Sequence, residues 1–327
     1  MKRFIDNEGT FEVKVPDHWR YSLKIGKIHT FQDHEIGLYD TFQISINNVE
    51  DNTKRKNFFD LIKTLSLKKI NKHKYYSFPD KVGSKFIVKT WIGLIDKKVV
   101  VFSLTSSIKT ISNLEKKTSL IYKIISSFSL IDNENSKSEL NSYRFETFLK
   151  GVAATDYMLN KAVEGKSFIE VTCILASQID ALLRTGIILQ KQLINKDTKI
   201  ETKWIYQGPN DKMKSEKDIY KKALELKIFD KIIFDELYEL YNDRNRIIHR
   251  FIISEISLAE VEEISYKYYE MQQKIKKTVY DIESKQIELN IGMTKQGSKS
   301  KIPNPIKFIK GKIGKISYFN DKKETLK

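Results

Sequence analysis

The chain is nearly without cysteine: Cys173 is the only one in 327 residues. That excludes an intramolecular disulfide framework and a cysteine-built zinc site. Five prolines and 13 glycines are too few for a collagen-like or Gly/Pro-rich low-complexity chain. No apolar run approaches the roughly 18 residues that suggest a membrane span. The amino-terminal stretch MKRFIDNEGTFEVKVPDHW has a basic start but no apolar core, so no secretory signal is expected. The four histidines outside the last third, His18, His29, His34 and His73, form no ligand pattern, and no metal site is expected. No GxxxxGK[ST] or GxGxxG occurs, so neither a nucleotide nor any other cofactor is expected. What the chain does have is 40% hydrophobic and 11% aromatic residues, enough for folded cores. The expectation is a two-domain, soluble, cytoplasmic protein.

The charge is lopsided. Residues 1–135 hold 23 basic and 15 acidic side chains, residues 136–290 hold 25 of each, and residues 291–327 hold ten against two. The net +16 therefore sits at the two ends. Such surfaces concentrate polyanions, although a solvated lysine surface gives the same count. Within the first region, Lys54 to Lys89 carries 11 basic and two acidic residues among Phe58, Phe59, Tyr75, Tyr76 and Phe78. Bases stack on aromatics, so RNA could touch it; core aromatics beneath a lysine surface is the plainer reading.

Residues 1–135 read as an α+β domain. Phe11–Val15 alternates until Pro16 stops it, and Thr41–Ile46 alternates as well. Phe86–Leu94 and Val99–Leu104 are β-rich runs around an Asp96-Lys97-Lys98 turn. Asn57–Leu67 and Leu114–Leu130 carry apolar residues at helical spacing. An antiparallel sheet with packed helices follows. Ile131–Glu139 is polar and without apolar spacing, and reads as a linker. Residues 136–290 then read as an all-α bundle, with helices over Asn141–Glu164, Ser167–Leu193, Glu216–Leu226, Asp230–Phe251 and Ser257–Leu289. Ser257 and Glu260 have the spacing of a capping box. Residues 291–327 form a basic tail with Pro303 and Pro305.

One stretch carries chemistry: Tyr241-Asn242-Asp243-Arg244-Asn245-Arg246-Ile247-Ile248-His249-Arg250. It puts three arginines, two asparagines and the bundle's only histidine into an apolar helix. Unpaired buried charge is costly, so these groups face solvent, an internal acid or a site. On a regular helix Arg244 and His249 stand about 140° apart, while Asn245 and Arg246 neighbour His249. Arg244 joins His249 if the helix is distorted or if two motifs meet across a dimer.

The stretch resembles the signature of the HEPN superfamily, an Arg and a His a few residues apart with a polar residue after the Arg. Arg244-Asn245 and His249 match it with four intervening residues. The upstream helix SFIEVTCILASQIDALLR with its acid Asp180, the IYKKALEL helix before the motif and the long helix after it fit as well. The resemblance covers about residues 140–290. It implies a metal-independent, homodimeric endoribonuclease, in the manner of a toxin or defence effector, leaving a 2′,3′-cyclic phosphate and a 5′-OH. Arg244, Asn245 and His249 are the implied catalytic residues. Arg246 and Arg250, with Lys307, Lys310 and Lys312 of the tail, are the expected RNA contacts, and Ile248, Ile252 and Ile253 the expected dimer contacts. Three other readings stand beside it. Arg244 pairs with Asp180 or another buried acid and His249 is a satisfied helix residue. The protein is a non-catalytic RNA-binding or dimerising adaptor. Or it is a toxin held by a partner antitoxin or trigger protein. Separately, FEVKVPDHW, TFQISI, VVVFSLTSS and YKIISSFSLI resemble, in that order, a PsbP-type αβα sandwich, which implies a sensor or targeting module and no catalytic residue.

Overall fold

The computed structural model describes residues 1–295 apart from 36–37, 50–51, 71–72, 209–210 and 213. Lys307, Lys310 and Lys312, and most of the expected basic tail, lie outside the described residues. The chain divides into two compact units, at Leu140 and Asn141.

The first unit is built on strands β1 (Lys2–Ile5), β2 (Phe11–Val15), β3 (Arg20–Lys24), β4 (Ile28–Glu35), β5 (Leu38–Asn48), β6 (Ser66–Ile70), β7 (His73–Ser77), β8 (Lys81–Val82), β9 (Phe86–Ile95), β10 (Lys98–Ser107) and β11 (Ser129–Leu130). Helices α1 (Asn52–Ile62) and α2 (Leu114–Ser126) interrupt them. The larger sheet runs β3-β4-β5-β10-β9-β7-β6, with β8 on β9, and β1-β2-β11 form a second sheet. Every described pairing is antiparallel. β9 and β10 turn at Asp96, whose φ of 55° a short polar side chain tolerates.

Successive strand residues point to opposite faces, and both faces of the large sheet bury apolar groups. Trp91 faces a core of Phe31, Phe42 and Phe102 closed by Ile121, Ile124 and Ile125 of α2. Its neighbour Ile92 faces the other side, where Val99 packs with Phe58 and Ile62 of α1. The two helices thus cover opposite faces, a layered helix–sheet–helix arrangement.

Three elements differ from the sequence reading. Ile131–Glu139 is no linker: α3 (Asn133–Glu164) starts inside it and runs through the division between the units. Polar residues suit an exposed helix as well as a loop, and this stretch is tied down. The Ser136 hydroxyl donates to the Glu8 carbonyl at 3.0 Å, and Glu139 pairs with Arg3 at 2.9 Å. α1 starts and ends five residues earlier than expected, because Leu67 belongs to β6, where it pairs with Tyr76. The expected helix to Leu130 ends at Ser126, because Ser129 and Leu130 pair with Glu12 and Phe11.

The second unit contains the rest of α3, then α4 (Phe168–Asn195), α5 (Glu216–Glu225), α6 (Lys231–Arg250) and α7 (Leu258–Glu288). Ser215 with Asp218 and Ser257 with Glu260 make reciprocal capping boxes, and Asp230 caps α6. These satisfy backbone N–H groups that a helix start leaves free. Leu175, Ile179, Leu183 and Ile187 of α4 lie in one core with Tyr220 of α5, Leu237 of α6, and Tyr268 and Ile275 of α7. α4 is long and apolar enough to cross a membrane by length and composition, but 72% of its most apolar stretch is buried within the fold. It is the central helix of the bundle.

The connection from α4 to α5 has one 3₁₀ turn, Thr202–Trp204, and is pinned rather than loose. Arg184 donates to the Trp204 carbonyl at 2.6 Å, and Glu201 is ion-paired with Lys191 and, at 3.0 Å, Lys203.

Candidate functional site

α6 carries the motif, and its buried residues Leu237, Leu240 and Ile247 fix its rotation. Arg244 lies four residues after Leu240 and three before Ile247, so it belongs to the inward stripe. His249, two residues past Ile247, belongs to the opposite side. α6 is helical through Arg250, so no distortion brings the two together. Among the described residues no hydrogen bond or ion pair joins Arg244 to His249.

Arg244 is 14% exposed. Its Nη1 is ion-paired with Glu216, the first residue of α5. Its Nη2 donates to Asn245 Oδ1 at 2.9 Å, and its Nε is buried without a hydrogen-bond partner. The guanidinium also lies 5.0 Å from the Tyr241 ring centroid. The surroundings are buried phenols. Tyr268 donates to the Leu240 carbonyl at 2.7 Å, and burial pushes its hydroxyl pKa well up. Tyr220 donates to Glu216 Oε2 at 3.4 Å and is pushed up for the same reason. Burial likewise raises the Cys173 thiol, against the opposing charge of Arg244. Asp180 is not Arg244's partner: it pairs with Arg184 at 2.6 Å, one turn along α4, and its Oδ1 is buried without a hydrogen bond. Arg244 instead meets a half-buried acid, Glu216.

The outward face is different. His249 is exposed and makes no hydrogen bond, ion pair or ring contact with another described residue. Arg250 beside it is exposed and equally unpaired. Arg246, 47% exposed, approaches Asp243 loosely at 3.8 Å, and its charge also acts on the Glu260 carboxylate. Helical spacing puts Asn242, Arg246, His249 and Arg250 along one strip: Arg246 lies four residues after Asn242, and His249 and Arg250 lie three and four after Arg246. Asn245 stands between strip and interior, held by Arg244. Asn242 and Glu216 received no role from the sequence reading. Asn242 was legible as one helical repeat of seven before His249; nothing local marks Glu216.

Apolar side chains continue from this strip. Ile248 is 43% exposed, Ile252 95% and Ile253 81%, at the end of α6 and the turn after it, and Leu258 at the start of α7 is 66% exposed. An imidazole, two exposed guanidiniums and an amide can together bind a phosphodiester and move a proton, beside an exposed apolar patch. Among the described residues no group of three or more His, Cys, Asp or Glu side chains is placed to hold a metal ion.

No protein-family model matches the chain, and no curated protein matches it. Two solved structures are similar at 15% identity. One is a protein of Bacteroides thetaiotaomicron solved at 1.50 Å, with a TM-score of 0.33 over 59% of this chain and 78% of that one. The other is the cyanobacterial PsbP protein CyanoP of Synechocystis sp. PCC 6803, with a TM-score of 0.30 over 40% of this chain and 92% of that one. At such scores neither likeness carries the description of the fold, which rests on the strand order and helix placement above.

Proposed function

We propose that the second unit is a HEPN-type domain and that the protein is a metal-independent endoribonuclease acting as a homodimer. The observation that carries this reading is His249: exposed, unpartnered and flanked on its own strip by Arg246 and Arg250. Histidine suits proton transfer because its pKa lies near neutrality. In this reading His249 takes the 2′-OH proton as that oxygen attacks phosphorus, and a protonated His249 supplies the leaving 5′-oxygen. Arg246 and Arg250 grip the phosphate oxygens and offset the charge of the phosphorane. The products are a 2′,3′-cyclic phosphate and a 5′-OH. A two-fold axis at Ile248, Ile252 and Ile253 would bring two strips together and supply one histidine as base and one as acid. Arg244, engaged by Glu216, acts as a positioning residue that holds Asn245 toward the strip. The N-terminal unit, with helices on both sheet faces, is read as a PsbP-type sensor or targeting module.

The Arg244–Glu216 pair favours a second reading. A family arginine locked to an internal acid suits a non-catalytic adaptor that binds RNA without cutting it. Cleavage of labelled RNA by full-length protein in EDTA separates the two. The nuclease reading expects cleavage by the wild type and a loss of about 10²-fold or more in His249→Ala, with an unchanged circular dichroism spectrum. Binding without cleavage identifies the adaptor. Equal cleavage by His249→Ala, or a strict need for a divalent metal, overturns the site.

A further inference from the structure

In the first unit some of the described cations are held by acidic side chains. Lys27 meets Glu8 at 2.9 Å, Lys89 meets Asp80 at 2.6 Å, Lys117 meets Asp40 at 2.6 Å, and Arg3 bridges Glu12 and Glu139. Others, such as Lys24, Lys109 and Lys116, are exposed without such a partner, and several of this kind gather on one side of the large sheet. Lys54, Arg55 and Lys56 of α1, Lys69 of β6 and Lys74 of β7 are all exposed, and none makes a hydrogen bond or ion pair among the described residues.

The register places the two strand lysines on the side of the sheet that carries α1. Lys69 stands directly opposite Lys74. Tyr76, two residues beyond Lys74, pairs with Ile92. Ile92 and Tyr76 pack with Phe58 and Ile62 of α1. Lys69 and Lys74 therefore emerge on the side that α1 covers. Phe59, next to the buried Phe58, is 44% exposed there.

Two ordinary reasons for such lysines fall short. Lysine on an edge strand guards against pairing with another chain, and β6 is an edge. Lys74, however, is on β7, which lies between β6 and β9, and three further cations are on a helix. Nor does the arrangement stabilise the fold, since like charges directly opposite one another weaken a strand pair. Local rules broken without a compensating contact mark sites that act on something else.

We propose that this α1–β6–β7 face is a docking surface for the backbone of single-stranded RNA, with the Phe59 ring available to stack on a base. The choice of RNA over another polyanion rests on the nuclease reading of the second unit. In this view the first unit holds the RNA by charge, without reading sequence.

The test is binding of the full-length protein to a fluorescent 20-nucleotide 2′-O-methyl RNA, which lacks the attacking hydroxyl, at several salt concentrations. Binding is then read whether or not the chain cleaves. The triple variant Lys54→Glu, Arg55→Glu, Lys69→Glu is compared with Lys24→Glu, Lys109→Glu, Lys116→Glu, an equal charge change at cations off this face. Losing three contacts should make the slope of log K against log salt shallower by about 2, roughly a 100-fold loss at 0.1 M salt. The control should lose far less. Equal losses in the two variants overturn the proposal, because only net charge then matters. Loss of binding to phosphatidylserine vesicles with RNA binding intact assigns the face to a membrane and overturns it too. Tight face-dependent binding by a chain that cuts no RNA upholds this surface and refutes the nuclease reading alone.

Discussion

At the scale of single residues, Arg244 and Arg246 show how two positions on a helix separate roles. Arg244 and Glu216 are 14% and 23% exposed, so removing one strands a mostly buried charge. Arg244→Ala should therefore cost about 3 kcal/mol in urea unfolding. Arg246→Ala, at a 47% exposed position, should stay within about 0.5 kcal/mol while weakening RNA cleavage. Equal stability losses in the two variants would contradict this division. The inward direction of Arg244 was legible in its spacing from Leu237, Leu240 and Ile247, as was its angle of about 140° from His249. Its partner was not. Glu216 is 28 residues away and meets Arg244 only because α5 folds against α6. Pattern within one helix is local information, whereas the choice between Asp180 and Glu216 as its acid is tertiary.

At the scale of elements, the connection between α4 and α5 has a pH dependence of its own. Burial alone would raise the Glu201 carboxyl, but hydrogen bonds from Lys191, Lys203 and Trp204 overcome it and hold the pKa at about 2, below the ordinary 4.5. A depressed carboxylate contributes stability that is full above its unfolded pKa and is lost as pH falls through its folded pKa. The window is thus pH 4.5 down to 2. Wild type should lose more unfolding free energy between pH 5 and pH 3 than Glu201→Gln, measured by urea denaturation. Parallel losses would mean that Glu201 does not couple this connection to the fold. The helices of the second unit were legible because apolar periodicity and the Ser257–Glu260 capping box are strong local signals. β4 was harder to read, since its alternation carries His29, Thr30 and Gln32 among its apolar residues. Ile131–Glu139 was misread because nothing in a polar stretch shows that Glu8 and Arg3 will anchor it.

At the scale of the whole molecule, the proposed reading has assembly and chemistry meet at the end of α6. Ile252 and Ile253 are 95% and 81% exposed beside His249. On that reading a second copy of the chain covers these two isoleucines isologously. Light scattering should show a dimer for wild type at micromolar concentration and a monomer for Ile252→Asp with Ile253→Asp, which should also cleave poorly. A fully active wild-type monomer would remove the two-histidine arrangement. The measurement closest to the central claim is the chemistry of the cut ends. RNA treated in EDTA with full-length wild type should end in 2′,3′-cyclic phosphate on one side and 5′-OH on the other, and His249→Ala should leave it intact. Ends bearing 3′-OH and 5′-phosphate, or the same cuts made by His249→Ala, would contradict the account.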